Sequence, residues 1–215
     1  GNANYGWILN MVSKLSENGV AGFILANGAL SGGSEEYKIR KKLIENGLVE
    51  AILILPRNLF YTTDISVTLW IVNKNKKARN SEVNGVTRSY RQRQDEILFM
   101  DLRQVGEPFE KKFIQFSESH ISSIVKTYQD WQQSNNAYED VAEYCYSASL
   151  EEIRKRDYSL VPSKYIEFVN RDENVDFKEK MTALKSEFAD LLAAEQKSKQ
   201  ALLGVFKEMG YDIEF

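Results

Sequence analysis

The chain has 215 residues, 43% of them hydrophobic and 12% aromatic, with three prolines; a chain this long buries a real core, and the composition excludes disorder and low complexity. One cysteine excludes a disulfide framework and a cysteine-based zinc site, and it fits a reducing cytosol, so a cytoplasmic protein is expected. No apolar run nears the roughly 18 residues of a membrane span, no signal peptide opens the chain, and a net charge of −3 argues against a free-standing, non-specific nucleic-acid binder. The first residue is Gly1 rather than Met, and it opens in mid-pattern, which points to a fragment.

Tyr5, Ile8, Leu9, Val12 and Leu15 recur at helical spacing, and Asn18-Gly19 offers a left-handed stop. Val20–Ala26 is apolar throughout, as suits a strand covered on both faces. A small-residue loop, Gly28–Gly33, follows. Ser34 is then placed to cap a helix that carries Glu35 and Glu36 in its first turn, buries Ile39, Leu43 and Ile44, and ends at Asn46-Gly47. A second apolar strand, Ala51–Leu55, stops at Pro56, and a third, Val67–Val72, comes after a loop of about ten residues. This order is the tail of a doubly wound sheet, and the short last connection implies an antiparallel final pair.

From Lys74 to Gln94 seven basic residues (Lys74, Lys76, Lys77, Arg79, Arg88, Arg91, Arg93) stand against Glu82 alone, a local charge of +6 that leaves −9 for the remainder. The stretch reads either as a solvated surface loop or as a loop contacting a DNA backbone. His120 lies just past Ser117 at a helix start, ahead of an apolar face of Ile121, Ile124, Val125, Tyr128 and Trp131. With one His and no acidic partner in range, no catalytic role is assigned to it. Cys145 reads as a small packed residue. No spacing of Asp, Glu or His suggests metal ligation. Ser149 and Glu152 have capping-box spacing. From Phe177 a heptad seam runs through Met181, Leu184, Phe188, Leu191, Glu195, Ser198, Leu202, Val205 and Met209. A helix of about 30 residues reaches about 45 Å, so its stripe either folds back on the chain or packs on another subunit.

GNANYGW at 1–7, NGVAGFILANGALS at 18–31 and LIENGLVEAILILPRNLFYTTDISVTLWIVNK at 43–74 resemble the methylase subunit of type I restriction–modification systems. ILFMDLR at 97–103 and LEEIRKRDYSLVPSKYIE at 150–167 resemble later blocks of the same family, in the same order. The resemblance implies the C-terminal half of a Rossmann-like, S-adenosylmethionine-dependent adenine N6 methyltransferase sheet, mixed because its last strand is antiparallel, followed by an α-helical tail. By analogy 20–26 is the fifth strand, 49–55 the sixth, and 66–73 a reversed seventh lying between them. The family's cofactor loop follows its first strand, and its catalytic signature is Asn-Pro-Pro-Phe; here the prolines are Pro56, Pro108 and Pro162, so no catalytic residue is expected in this chain. The cofactor, S-adenosylmethionine, is then bound mostly through residues absent here, and Gly28–Gly33 reads as a turn at the cleft rim rather than a cofactor contact.

The resemblance further implies stacking of an extruded target base on an aromatic in the loop between strands six and seven, where Phe60 and Tyr61 stand; a hydrophobic plug is the other reading of Phe60. Thr62, Thr63 and Asp64 are expected to orient that loop by side-chain-to-backbone bonds. Implied partners are DNA, the specificity and restriction subunits and a second methylase copy, with no membrane; Leu184, Phe188, Leu191 and Leu202 become candidate interface residues. The expected organisation is methyltransferase sheet over 1–101 with a basic loop at 74–95, a helical region over 102–170, and a long assembly helix over 171–215. The alternative is a non-catalytic adaptor with a small α/β unit.

Overall fold

The structure, a computed structural model, describes residues 3–169 and 177–210. The chain divides into two units between Val169 and Asn170. The first contains α1 (Asn4–Lys14), β1 (Val20–Ala26), α2 (Ser34–Glu45), β2 (Val49–Ile54), β3 (Val67–Asn73), β4 (Arg79–Val83), β5 (Val86–Tyr90), β6 (Glu96–Asp101), β7 (Glu107–Phe109), β8 (Phe113–Gln115), α3 (Glu118–Gln132), β9 (Cys145–Ser149) and α4 (Leu150–Lys155).

The main sheet has the order β1-β3-β2-β6-β9. β3 is antiparallel to both β1 and β2, so the reversed strand lies between them as the resemblance implies. β2 and β6 are parallel, and β9 runs against β6. The boundary drawn at residue 101 differs from this structure. β9 belongs to the same sheet, and residues 102–169 hold three strands besides α3 and α4.

Alternate residues of the central strands feed two cores. Ile52, Trp70, Ile97 and Phe99 face α1, α2 and α4 through Tyr5, Ile8, Leu43, Ile44 and Ile153. Ala51, Leu53, Leu98 and Met100 face α3 through Trp131. Burial on both faces is what their near-continuous apolar sequences require. β1 is different: Val20 and Ile24 are exposed, while Ala21, Phe23 and Leu25 pack inward, so one face is bare among the described residues.

Several local expectations change. α1 ends at Lys14, before Asn18-Gly19. Gly33 stands at the cap of α2, and Ser34 is its first residue. Gly47, at φ 65°, does supply the left-handed stop after α2. On α3 the packed face is Ile124, Tyr128 and Trp131, while Ile121 and Val125 stay exposed. Residues 74–95 are largely a hairpin, β4–β5, turned by Asn84 (φ 52°) and Gly85 (φ 74°); two positive φ values make the type I′ turn that matches strand twist.

The second unit is described through α5 (Phe177–Glu208), 32 residues and so about 48 Å long. Its seam residues Leu184, Phe188, Leu191 and Leu202 are all exposed on it.

Candidate nucleic-acid interface

β1, β2 and β6 point the same way, so their carboxyl ends, and the loops that follow them, share one edge of the sheet. In open α/β sheets that edge is where ligand sites collect. Two of these loops meet. The hairpin β7–β8 lies on the β2–β3 loop: Ile114 N–H donates to the Asn58 carbonyl at 3.1 Å, Lys112 Nζ reaches Asp64 Oδ1 at 3.2 Å, and the Tyr61 and Phe113 rings meet edge to face at 4.8 Å. Gly106 lets the chain entering the hairpin pass close to β8. Its φ is 124°, and a Cβ there would stand 2.5 Å from Ile114 Cγ2 and 3.1 Å from the Gln115 carbonyl.

Two adjoining cavities result, sharing Ile114 as a wall. One, of ≈ 240 Å³, is lined by Leu59, Tyr61, Phe109, Phe113, Gln115 and Phe116. The other, of ≈ 580 Å³, carries Arg57, Arg103 and Lys112 together with Pro56, Asn58 and Ser66. Arg103 is held by Asp101, with Nη2 to Oδ2 at 2.5 Å, and this bond pushes its guanidinium further up from its ordinary value. Arg57 Nε donates to the Asp64 carbonyl at 3.2 Å. Aromatic faces therefore stand beside cations at the carboxyl-end edge of the sheet.

Phe60 is half-buried against the α3-side core, whereas Tyr61 is 69% exposed. The loop holding them is pinned by the Thr63 N–H to Phe60 carbonyl bond and by Arg57 and Lys112, not by the Thr62 and Thr63 hydroxyls, which take no part in those bonds.

The seven basic residues are not one surface, which corrects the backbone-contact reading for part of them. Arg93 is fully buried against Glu50, Nη2 to Oε1 at 2.9 Å. Lys76, also buried, donates from Nζ to the carbonyls of Val49 and Glu96, each at 2.7 Å. Arg91 grips Glu96 with two bonds of 2.8 and 2.7 Å. Glu50 explains the burial. It sits inside β2 with no exposure, and Asn73, Tyr128 and Gln132 also donate to its two oxygens. An unpaired carboxylate there would be severely destabilising. Burial pushes the Lys76 ammonium down to about 8, a fall that Glu50 opposes. Burial, and then Glu50, pushes the Tyr128 hydroxyl up. Lys74 donates to the Leu15 carbonyl, Arg79 lies over the Tyr90 ring, Lys77 is exposed, and Arg88 is half-buried on β5.

Gly28–Gly33 follows β1 at the same edge, but its carbonyls are already used. Ala29 accepts from Tyr5, Leu30 from Leu160 N–H and Gly32 from Arg40. A Cβ on Gly28 or Gly33 would meet no protein atom within 4 Å. His120 is a capping residue: Ser117 N–H donates to its Nδ1 at 3.2 Å, and its own N–H donates to Ser117 Oγ. Cys145 is buried on β9, and that burial raises its thiol. Among the described residues no group of three or more His, Cys, Asp or Glu could hold a metal, and no helix is long and apolar enough to cross a membrane.

The N-6 DNA methylase family model matches residues 1–174. The chain belongs to that family. It is 37% identical over 99% of its length to the type I restriction enzyme HindI methylase subunit of Haemophilus influenzae, and 32% identical over 98% to the MjaIX methylase subunit of Methanocaldococcus jannaschii. It spans 45% and 36% of those two proteins, so less than half of either. The crystal structure of a type I restriction–modification methyltransferase subunit from Streptococcus thermophilus is similar over 77% of this chain and 31% of that one, with a TM-score of 0.63 and 28% identity. Among N-6 DNA methylases the chain thus resembles type I methylase subunits in sequence and in fold. The residues missed from sequence are Glu50, Arg57, Arg103, Phe109, Lys112 and Phe113; for the last group, the alternation of aromatic and basic residues in PFEKKF (108–113) is the one available signal.

Proposed function

We propose that the intact protein is the modification subunit of a type I restriction–modification system, transferring a methyl group from S-adenosylmethionine to the N6 amine of adenine in DNA. The family match over residues 1–174, reinforced by similarity over 99% of this chain to part of a methylase subunit, carries this reading. This chain then supplies the carboxyl-end loops on the base side of the cleft and an assembly helix. An amine conjugated to a purine is a poor nucleophile, and a base inside a duplex is out of reach, so the enzyme must extrude and hold it. Tyr61, exposed at that edge, takes the stacking role, and Phe60 supports the loop from beneath. Lys77, Arg79 and Arg88 are the basic-stretch residues left for a DNA backbone. The seam of α5 packs on the specificity subunit, in a complex that also holds the restriction subunit and a second methylase copy.

The test is transfer of radiolabelled methyl groups from S-adenosylmethionine to duplex DNA by the full-length subunit assembled with its specificity subunit. Label in N6-methyladenine is expected. An assembled complex that transfers none would replace this reading with the adaptor alternative.

A further inference from the structure

The seam of α5 is apolar except at one level. Phe177, Met181, Leu184, Phe188 and Leu191 precede that level, Leu202, Val205 and Met209 follow it, and Glu195 and Ser198 hold the two consecutive seam positions between. All ten are exposed on the described helix. An open recess of ≈ 410 Å³ lies at the polar level, lined by Glu195, Ser198, Lys199 and Leu202. Ala194 and Ala201 occupy one flank of the seam there, small enough for a partner chain to come close. A carboxylate carried into an apolar helix–helix seam must meet a cation or a donor, because an unpaired buried charge is severely destabilising.

A second copy of α5 does not meet that demand. A parallel pair matches like seam positions. In register, Glu195 would face Glu195, and a slip of one heptad sets it against Phe188 or Leu202. An antiparallel pair brings Glu195 opposite Ser198 in one register alone, and that register also sets Glu187 against Glu208 on the flank. The other antiparallel registers place it on Phe177, Leu184, Leu191 or Val205. We propose that Glu195, with Ser198, is the register and specificity key of the assembly seam, and that its partner is a helix of the specificity subunit presenting a Lys or Arg to the recess. The inference rests on the modification-subunit reading above for the identity of that subunit; the carboxylate at Glu195 supplies the chemistry of the partner. A lone polar position in such a seam fixes alignment and partner at a cost in stability. The apolar layers hold the helices together, and Glu195 selects which helix, and in which register.

The experiment uses the full-length methylase subunit and its specificity subunit. Calorimetry over a salt series gives the dissociation constant of assembly, and sedimentation follows self-association of the methylase subunit. Glu, Gln, Lys and Leu are comparable helix formers, so the variants should keep α5, and circular dichroism verifies it. Glu195→Lys is expected to weaken assembly by at least about 30-fold. Glu195→Gln should weaken it less and flatten its salt dependence. Glu195→Leu with Ser198→Leu makes the seam continuously apolar, so it should weaken assembly with the specificity subunit and raise self-association above that of the parent. The inference is overturned if Glu195→Lys assembles as the parent does, or if the double variant neither loses affinity nor self-associates. A Tm of the methylase subunit alone that falls in Glu195→Lys would place the facing helix inside that subunit and overturn it as well. A parent that fails to assemble removes the modification-subunit reading and this partner together, whereas failure of the key alone leaves parental assembly intact.

Discussion

Replacing Arg93 with Met should be among the most damaging single changes available in this chain. The guanidinium has no exposure and bonds Glu50 through Nη2 and Nε, as well as the carbonyls of Arg91 and Gln132 through Nη1. Met fills much of the volume but leaves the Glu50 carboxylate with Asn73, Tyr128 and Gln132 as neutral donors and no counter-charge in bonding contact. Removing one partner of a buried pair typically costs about 3–5 kcal/mol. A degree-scale conversion of about 2–4 °C per kcal/mol for a domain of this size turns that into a Tm lower by roughly 6–20 °C. Glu50→Gln should be milder, since Gln keeps one acceptor oxygen, and Glu50→Leu with Arg93→Met together should recover most of the loss, because no unpaired charge remains. Urea unfolding followed by circular dichroism on the two single variants and the double variant gives the coupling directly. A loss below about 1 kcal/mol for Arg93→Met, or strict additivity in the double variant, would refute the claim that Glu50 and Arg93 are one buried unit.

Lys76 titrates near 8 when folded, against an ordinary value of 10.5, so between those two values the unfolded chain holds the extra proton and stability rises with pH; about 2–3 kcal/mol should be gained from pH 8 to 10 and be absent in Lys76→Met, as read by urea midpoints. Phe188→Asp should abolish association with the specificity subunit at a cost of several kcal/mol while the Tm of the sheet unit stays put; a melt as damaged as that of Leu53→Asp would make α5 intramolecular core instead. Calorimetry with S-adenosylmethionine should detect no micromolar binding to the 215-residue chain, because no Pro-Pro occurs in it and the resemblance places the family's cofactor loop after an earlier strand; measurable binding would assign the cofactor to these loops.

Where a segment's own pattern determined its fate, the sequence was enough. The apolar runs at 20–26, 51–55 and 67–72 read as strands from their composition, and the short link between the last two forced an antiparallel pair. β9 could not be read this way. CYSAS is short and carries two serines, and it is a strand because β6 pairs with it from about 50 residues away. The β4–β5 hairpin was legible from Asn84-Gly85, but a reading led by charge passed over the turn. Counting charge also misled on Lys76 and Arg93, because their acid, Glu50, lies outside the basic stretch and inside an apolar strand. Its partners come from positions 73, 93, 128 and 132, and only the folded sheet brings them together. The aromatic recess is of the same kind: Tyr61 drew attention because the loop did, and Phe113, which fixes it, comes from a hairpin that the Asn58 carbonyl and Asp64 hold against that loop.

The placement of β3 between β1 and β2 sets the order in which a ribosome can complete this sheet. β1 and β2 emerge first but are not neighbours; each must wait for residues 67–73 to bridge them. A nascent chain paused before residue 67 therefore presents two apolar strands with open edges on the sides that β3 will later fill, the arrangement most prone to pairing with another chain. Slow translation through residues 55–66 should raise aggregation, and rare-codon clusters in that loop should lower soluble yield more than the same clusters placed after residue 101.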